Sequence, residues 1–151
     1  MSLMFRTLRP LAHKPLVAFF ALLLLAGKLS ANEVAMLDIG GLEYRIELAQ
    51  TSQQRQVGLM HRQQLGPREG MLLIYPAPGD RRIWMKNVPI PLQVFWIDEN
   101  FTVIGTRRLP PCRHSPCPVY GVDGAAHYVL ELGDYPHPIE KGDRIDSLRN
   151  F

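Results

Sequence analysis

Lysine is scarce over most of this chain, and no apolar run is long. Beyond residue 31 the only lysines are Lys86 and Lys141, against 11 arginines. A spanning helix needs roughly 20 consecutive apolar residues, which no segment supplies. There are two cysteines in 151 residues, too few for a disulfide-dense scaffold and without the second ligand pair that a structural zinc site requires. The Gly-x-Ser-x-Gly elbow, the His-Glu-x-x-His pair and the phosphate-binding glycine loop are all missing. After residue 31 the serines are Ser52, Ser115 and Ser147, none with a neighbouring His/Asp pattern. These absences remove the common signatures of hydrolases, zinc peptidases and nucleotide phosphatases. Internal repeats and low-complexity segments are lacking too.

The amino terminus has its own logic. Residues 1–14 carry Arg6, Arg9 and Lys14 and no acid; residues 16–26 are apolar, and Gly27, Ser30 and Ala31 follow. A positive stretch, a short apolar stretch and small residues describe a secretory signal peptide. Cleavage is expected after Ala31, although Leu29 is a poor residue at the third position before the cut. An uncleaved anchor is the alternative. Either reading leaves residues 32–151 as a single extracytoplasmic domain, periplasmic or secreted.

Without residues 1–31 the charge balance reverses. Of 17 basic residues four lie there, so 13 remain against all 14 acids, and the net charge falls from +3 to near −1. Nucleic-acid binding thereby loses its compositional support. Cys112 and Cys117 sit in Pro-Pro-Cys-Arg-His-Ser-Pro-Cys-Pro. In an oxidising compartment they are expected to form a disulfide; a thiol pair handling metal or electrons is the alternative.

Residues 34–39 and 42–48 read as strands joined by a tight turn at Gly40-Gly41. Residues 51–64 read as the one helix, with Thr51 and Gln54 as a capping box and Gly66-Pro67 as its stop. Further extended segments are expected at 70–75, 82–86, 93–98, 101–107, 127–132 and 144–148. Many short strands and one helix predict a mainly β fold, a sandwich or partly closed barrel with the helix packed on it.

Residues 84–98 carry the most information. Lys86 and Asn87 interrupt an apolar run that holds Pro89 and Pro91 and is bounded by Trp84 and Trp96. A buried ammonium is costly unless paired, so Lys86 either reaches water or answers a partner such as Asp98 or Glu131. Strand alternation puts Trp84, Lys86 and Val88 on one face, a platform and a cation that suit a sugar or an anion. The two prolines deny ladder hydrogen bonds and place the segment at an edge beside a cleft. On the helix, Val57, Met60 and Gln64 share a core-facing side; Arg55 and Arg62 flank Gly58 on the other, open to an anion or paired with acids such as Glu43 or Glu47. Asp98 and Glu131 offer a carboxylate pair for acid/base work. Met60, His61, Met71, Met85, His114 and His127 are too scattered to predict copper, and no metal or cofactor is expected.

Taken in order, Arg55-Gln56-Val57-Gly58-Leu59-Met60-His61-Arg62, Gly70-Met71-Leu72, Trp84 to Leu92, Phe95-Trp96-Ile97-Asp98, Tyr128-Val129-Leu130-Glu131 and Lys141-Gly142-Asp143 resemble the domain of unknown function 192 family. This is also called the uncharacterised ancient conserved region family. The resemblance implies a compact, jelly-roll-like β domain with one helix, often exported or tethered to a membrane. Two positions depart from the family pattern: Gln54 stands where the family has Glu, and Val88 where it has Thr. The family carries no established activity.

The functional expectation is therefore an exported binding or accessory module for a small anionic or sugar-like ligand or a cell-envelope partner. Arg55, Arg62, Trp84, Lys86, Asn87 and Asp98 are the expected ligand-binding residues. An envelope hydrolase using Asp98 or Glu131, and a purely structural interaction protein, are the alternatives.

Overall fold

The computed structural model describes residues 32–151; the expected signal peptide lies outside them. Strand β1 (Glu33–Ile39) turns into β2 (Leu42–Ala49) at Gly40 and Gly41, whose φ angles of 60° and 80° are those that a two-residue hairpin turn demands of both central residues. Helix α1 (Ser52–Val57) follows, then β3 (Glu69–Gly79), β4 (Ile83–Trp84), β5 (Leu92–Ile97), β6 (Val103–Leu109), β7 (Val119–Tyr120), β8 (Ala126–Gly133) and a closing 3-10 turn at Asp146–Asn150. Six strands make one open, mixed sheet in the order β1-β2-β3-β8-β5-β6, and β4 with β7 makes a small second sheet. Among the described residues the fold is mainly β with one short α-helix, and neither sheet closes into a barrel.

The β2–β3 pair is parallel and the other pairs of the large sheet are antiparallel. The parallel pair requires a crossover, which α1 and residues 58–68 provide. The three central strands are apolar almost throughout because both sheet faces are covered. On one face Leu72, Phe95 and Leu130 pack with the β1–β2 hairpin and with Ile145 and Leu148. On the other, Met71, Leu73, Val94, Trp96 and Val129 pack under Leu59, Ile83, Met85 and Val88. Each fully buried aliphatic side chain contributes about 1.5–3 kcal/mol. Trp96 is sealed in the second face and donates its indole N–H to the Arg81 carbonyl at 2.7 Å, which fastens the β3–β4 connection over that face.

Three expected elements come out differently. The helix ends at Val57 rather than near residue 64. Thr51 and Gln54 do form the capping box, but Gly58 sits at φ 49°, ψ −132°, a conformation no helix interior holds. The chain then proceeds by turns, with Met60 N–H donating to Val57 O and Arg62 N–H to Leu59 O. The Val57–Met60–Gln64 face accordingly does not form; Val57 is exposed and Leu59 is the residue buried there. Residues 144–148 make only an isolated bridge, Thr102 to Arg144, before the 3-10 turn. Strand β3 extends past Tyr75 through Pro76 and Pro78, and its pairing with β8 jumps from Ile74–Tyr128 to Gly79–Ala126. Prolines lack the N–H that would fill the gap.

Candidate functional site

The β8 register sets Glu131 opposite Met71 on one side and Val94 on the other. Alternation then turns its side chain, with that of Val129, toward the face under α1 and β4. Met71 and Val94 are apolar, so neither neighbouring strand offers it a partner. Glu131 is 5% exposed and is the one buried charged residue among those described. It makes no side-chain hydrogen bond or ion pair there, and no buried side-chain oxygen is sealed without a partner. Its carboxylate oxygens are therefore reached from open space. That space is a cavity of about 290 Å³ between α1, β3, β4 and the 85–88 turn, with Glu131 on its floor.

Burial pushes the Glu131 carboxyl up to about 7, because removing a carboxylate from water without donors disfavours the charged form. Gly58 keeps the approach open: a Cβ added there would stand 3.9 Å from the nearer carboxylate oxygen. Leu73, Ile83, Met85 and Leu92 supply apolar walls. Tyr75 closes one end, with the guanidinium carbons of Arg55 and Arg81 lying 4.9 Å and 4.1 Å from its ring centre. Burial, and then the neighbouring Glu131, hold its phenol above the ordinary tyrosine value.

The mouth is built differently. Trp84 is 42% exposed, and the Lys86 ammonium lies 5.1 Å from its ring centre with no carboxylate partner among the described residues. Lys86 thus pairs with neither Asp98 nor Glu131. Strand alternation fails after Met85, where Val88 N–H donates back to Met85 O and Asn87 takes φ 58°, so Val88 is buried with Met85 instead of sharing a face with Trp84 and Lys86. Val119, the ladder partner of Trp84, is also exposed. Arg82 reaches the cavity but binds Asp80 at 2.8 Å.

Of the six residues expected to bind ligand, Arg55, Trp84 and Lys86 line this cavity. Arg55 does so as a strap: one of its terminal nitrogens donates to the carbonyls of Gln50 and Ile74, at 2.5 and 2.8 Å, and ties α1 to β3. Asn87 faces a second hollow of about 460 Å³, which Trp84 and Lys86 share with the Cys112–Cys117 loop. Its carbonyl accepts the His61 N–H at 2.7 Å. Arg62 lies outside both hollows and makes two short hydrogen bonds to Glu47, 2.5 and 2.6 Å. Asp98 accepts the N–H groups of Asn100 and Thr102 and closes the β5–β6 turn. By strand register it stands four positions, roughly 13 Å, from the level of Glu131, so the two carboxylates are not a catalytic pair.

Cys112 and Cys117 form a disulfide with sulfurs 2.04 Å apart. Among the described residues no three His, Cys, Asp or Glu side chains gather as metal ligands. Met71 and Met85 are core residues. Sequence reasoning did not place Tyr75 or Arg82 at the site; it named Gly58 as the bare position between Arg55 and Arg62, and offered Glu131 as a partner for Lys86 or as an acid/base candidate beside Asp98. The available signal was a lone acid inside the apolar run of β8.

The family model of uncharacterised ancient conserved region proteins, the domain of unknown function 192, matches residues 35–147. Among solved structures, the chain is similar to a proposed transcription regulator from Sinorhizobium meliloti 1021, at 28% identity and a TM-score of 0.63, covering 76% of this chain and 93% of the other. It is also similar to a protein of unknown function from Novosphingobium aromaticivorans, at 26% identity and a TM-score of 0.60, covering 74% and 91%. No curated protein matches the chain.

Proposed function

We propose, from the premise that this chain belongs to the domain of unknown function 192 family, that it is an exported binding module whose small ligand enters the cavity over Glu131. The observation that carries this reading is a glutamate that is 5% exposed as a residue, its carboxylate without a partner among the described residues, on the floor of a cavity with a half-exposed tryptophan and a lysine free of described carboxylates at its mouth. A fold that gained nothing from Glu131 would be more stable with an apolar residue there. Function is the economical reason to keep it. Trp84 would cover an apolar or ring-shaped body and Lys86 would meet negative charge. Arg62 and Asp98 would serve the fold.

Export is supported by the charge and hydropathy pattern of residues 1–31 and by the disulfide. No helix of the described residues is long and apolar enough to cross a membrane. The raised Glu131 carboxyl favours one second reading, an envelope hydrolase in which Glu131 alone moves a proton.

A thermal-denaturation screen of small carboxylates, phosphates and sugars tests the binding reading. A ligand of the cavity should raise the melting temperature of the wild-type chain, less so that of Lys86→Ala and Trp84→Ala, and undiminished that of Arg62→Ala. A shift that persists in both cavity variants, or a panel that shifts nothing, would remove it.

A further inference from the structure

The cavity has an anionic end, an apolar middle and a cationic mouth. Its floor carries one carboxylate and its walls are Leu73, Ile83, Met85 and Leu92. Among the described residues, Lys86 is the mouth cation with neither a carboxylate nor a backbone carbonyl on it; Arg82 is engaged by Asp80, and one nitrogen of Arg55 is tied to two backbone carbonyls. The carboxylate has no donor among the described residues, so whatever fills the floor must bring its own. A neutral hydroxyl would satisfy one lone pair, whereas an ammonium brings several donors and the opposite charge. One lysine under a tryptophan suits a singly charged anion, and although Ser52, Gln56 and Tyr75 also line the cavity, Leu73, Ile83, Met85 and Leu92 suit a methylene body.

We propose that this cavity takes a zwitterion of the ω-amino acid type, its ammonium seated on the Glu131 carboxylate, its aliphatic body between the apolar walls and its carboxylate at Lys86. The assignment rests on the binding reading above and narrows it to one ligand class. In the empty cavity Glu131 holds its proton up to about pH 7, so seating an ammonium releases that proton. Affinity should fall about tenfold from pH 8 to pH 6, the ratio of ionised Glu131 at the two values. The charged or titratable groups facing Glu131 are Arg55 from α1, Tyr75 from β3, and Arg82 and Lys86 on either side of β4; β5 presents only apolar Leu92 and Val94. These are side-chain types that ordinarily keep one charge state between pH 6 and 8.

Calorimetric titration of the full chain with 4-aminobutyrate, 5-aminopentanoate and 6-aminohexanoate tests this, with the ω-hydroxy acids of equal length and pentylamine as controls. At pH 8 the best amino acid should bind at least tenfold more tightly than its hydroxy analogue. Glu131→Gln should bring the two within twofold, and Lys86→Ala should weaken the amino acid while leaving pentylamine unchanged. In the wild-type chain at pH 6.5, titrations in buffers of different ionisation enthalpy should show most of a proton released per ligand bound; this arm needs no variant to fold. A hydroxy acid that binds as well as the amino acid, a preference that survives Glu131→Gln, or binding without proton release would overturn the zwitterion and leave the cavity as a binding site. If no compound gives heat and none moves the NMR signals of Leu73, Met85 or Trp84, this inference and the binding reading both fall.

Discussion

Replacing Glu131 by glutamine should abolish most of the pH dependence of stability between pH 5 and 8. The unfolded chain ionises this carboxyl near 4.5, whereas the folded chain holds the proton to about 7. Between those values the folded state binds more protons, so stability falls as pH rises and levels off above 7. Integrating the two titrations gives a loss of about 2.5 kcal/mol in the wild-type chain from pH 5 to pH 8. Glutamine keeps the shape and cannot ionise. The measurement is urea unfolding of both proteins at half-unit steps across that range, reading the difference between them so that the histidines cancel. The two curves should run close at pH 5 and separate steadily, with Glu131→Gln the more stable at pH 8. Parallel curves would mean that Glu131 is solvated or paired in solution, and the account of the cavity floor would be wrong.

Other outcomes follow from the same contacts. Arg62→Ala should cost about 1 kcal/mol of unfolding free energy, since its two hydrogen bonds to Glu47 are charge-assisted but partly exposed; a double-mutant cycle with Glu47→Gln isolates that coupling. Gly70→Ala should prevent folding or cost at least roughly 2 kcal/mol, because its new Cβ would lie 2.1 Å from the Glu131 carbonyl oxygen. A calorimetric scan decides between the two. Reducing Cys112–Cys117, five positions apart, should lower stability by no more than about 2 kcal/mol, and denaturation with and without reductant measures it. Lys86→Ala should stay within about 0.5 kcal/mol of wild type in urea, as among the described residues only the Trp84 ring holds that ammonium.

Where sequence and structure agree, the determinant is local. Gly40-Gly41 forces a hairpin whatever lies elsewhere, and Thr51 with Gln54 caps a helix using only its own first turn. Gln54 completes that capping box because its amide oxygen accepts the N–H groups of Gln50 and Thr51. The misjudged elements depend on distant partners. Gly58 costs a helix only about 1 kcal/mol, so periodicity carried the expected helix onward; in the structure Gly58 leaves the helical conformation and Leu59 joins the buried cluster on the second sheet face. The 82–88 segment alternates only as far as Met85, and the turn that follows is fixed by His61 from another loop. Glu131 was legible as an odd acid in an apolar strand. Its isolation was not, since that follows from the register that sets Met71 and Val94 beside it.

The two tryptophans differ as far as two side chains can: Trp96 is wholly enclosed, and Trp84 stands at the cavity mouth with 42% of its surface in solvent. With no other indole in the chain, iodide should quench the emission of Trp84 and leave that of Trp96 untouched. The protein thus carries its own optical reporter, in which one fluorophore registers the occupant of the cavity and the other registers the integrity of the fold.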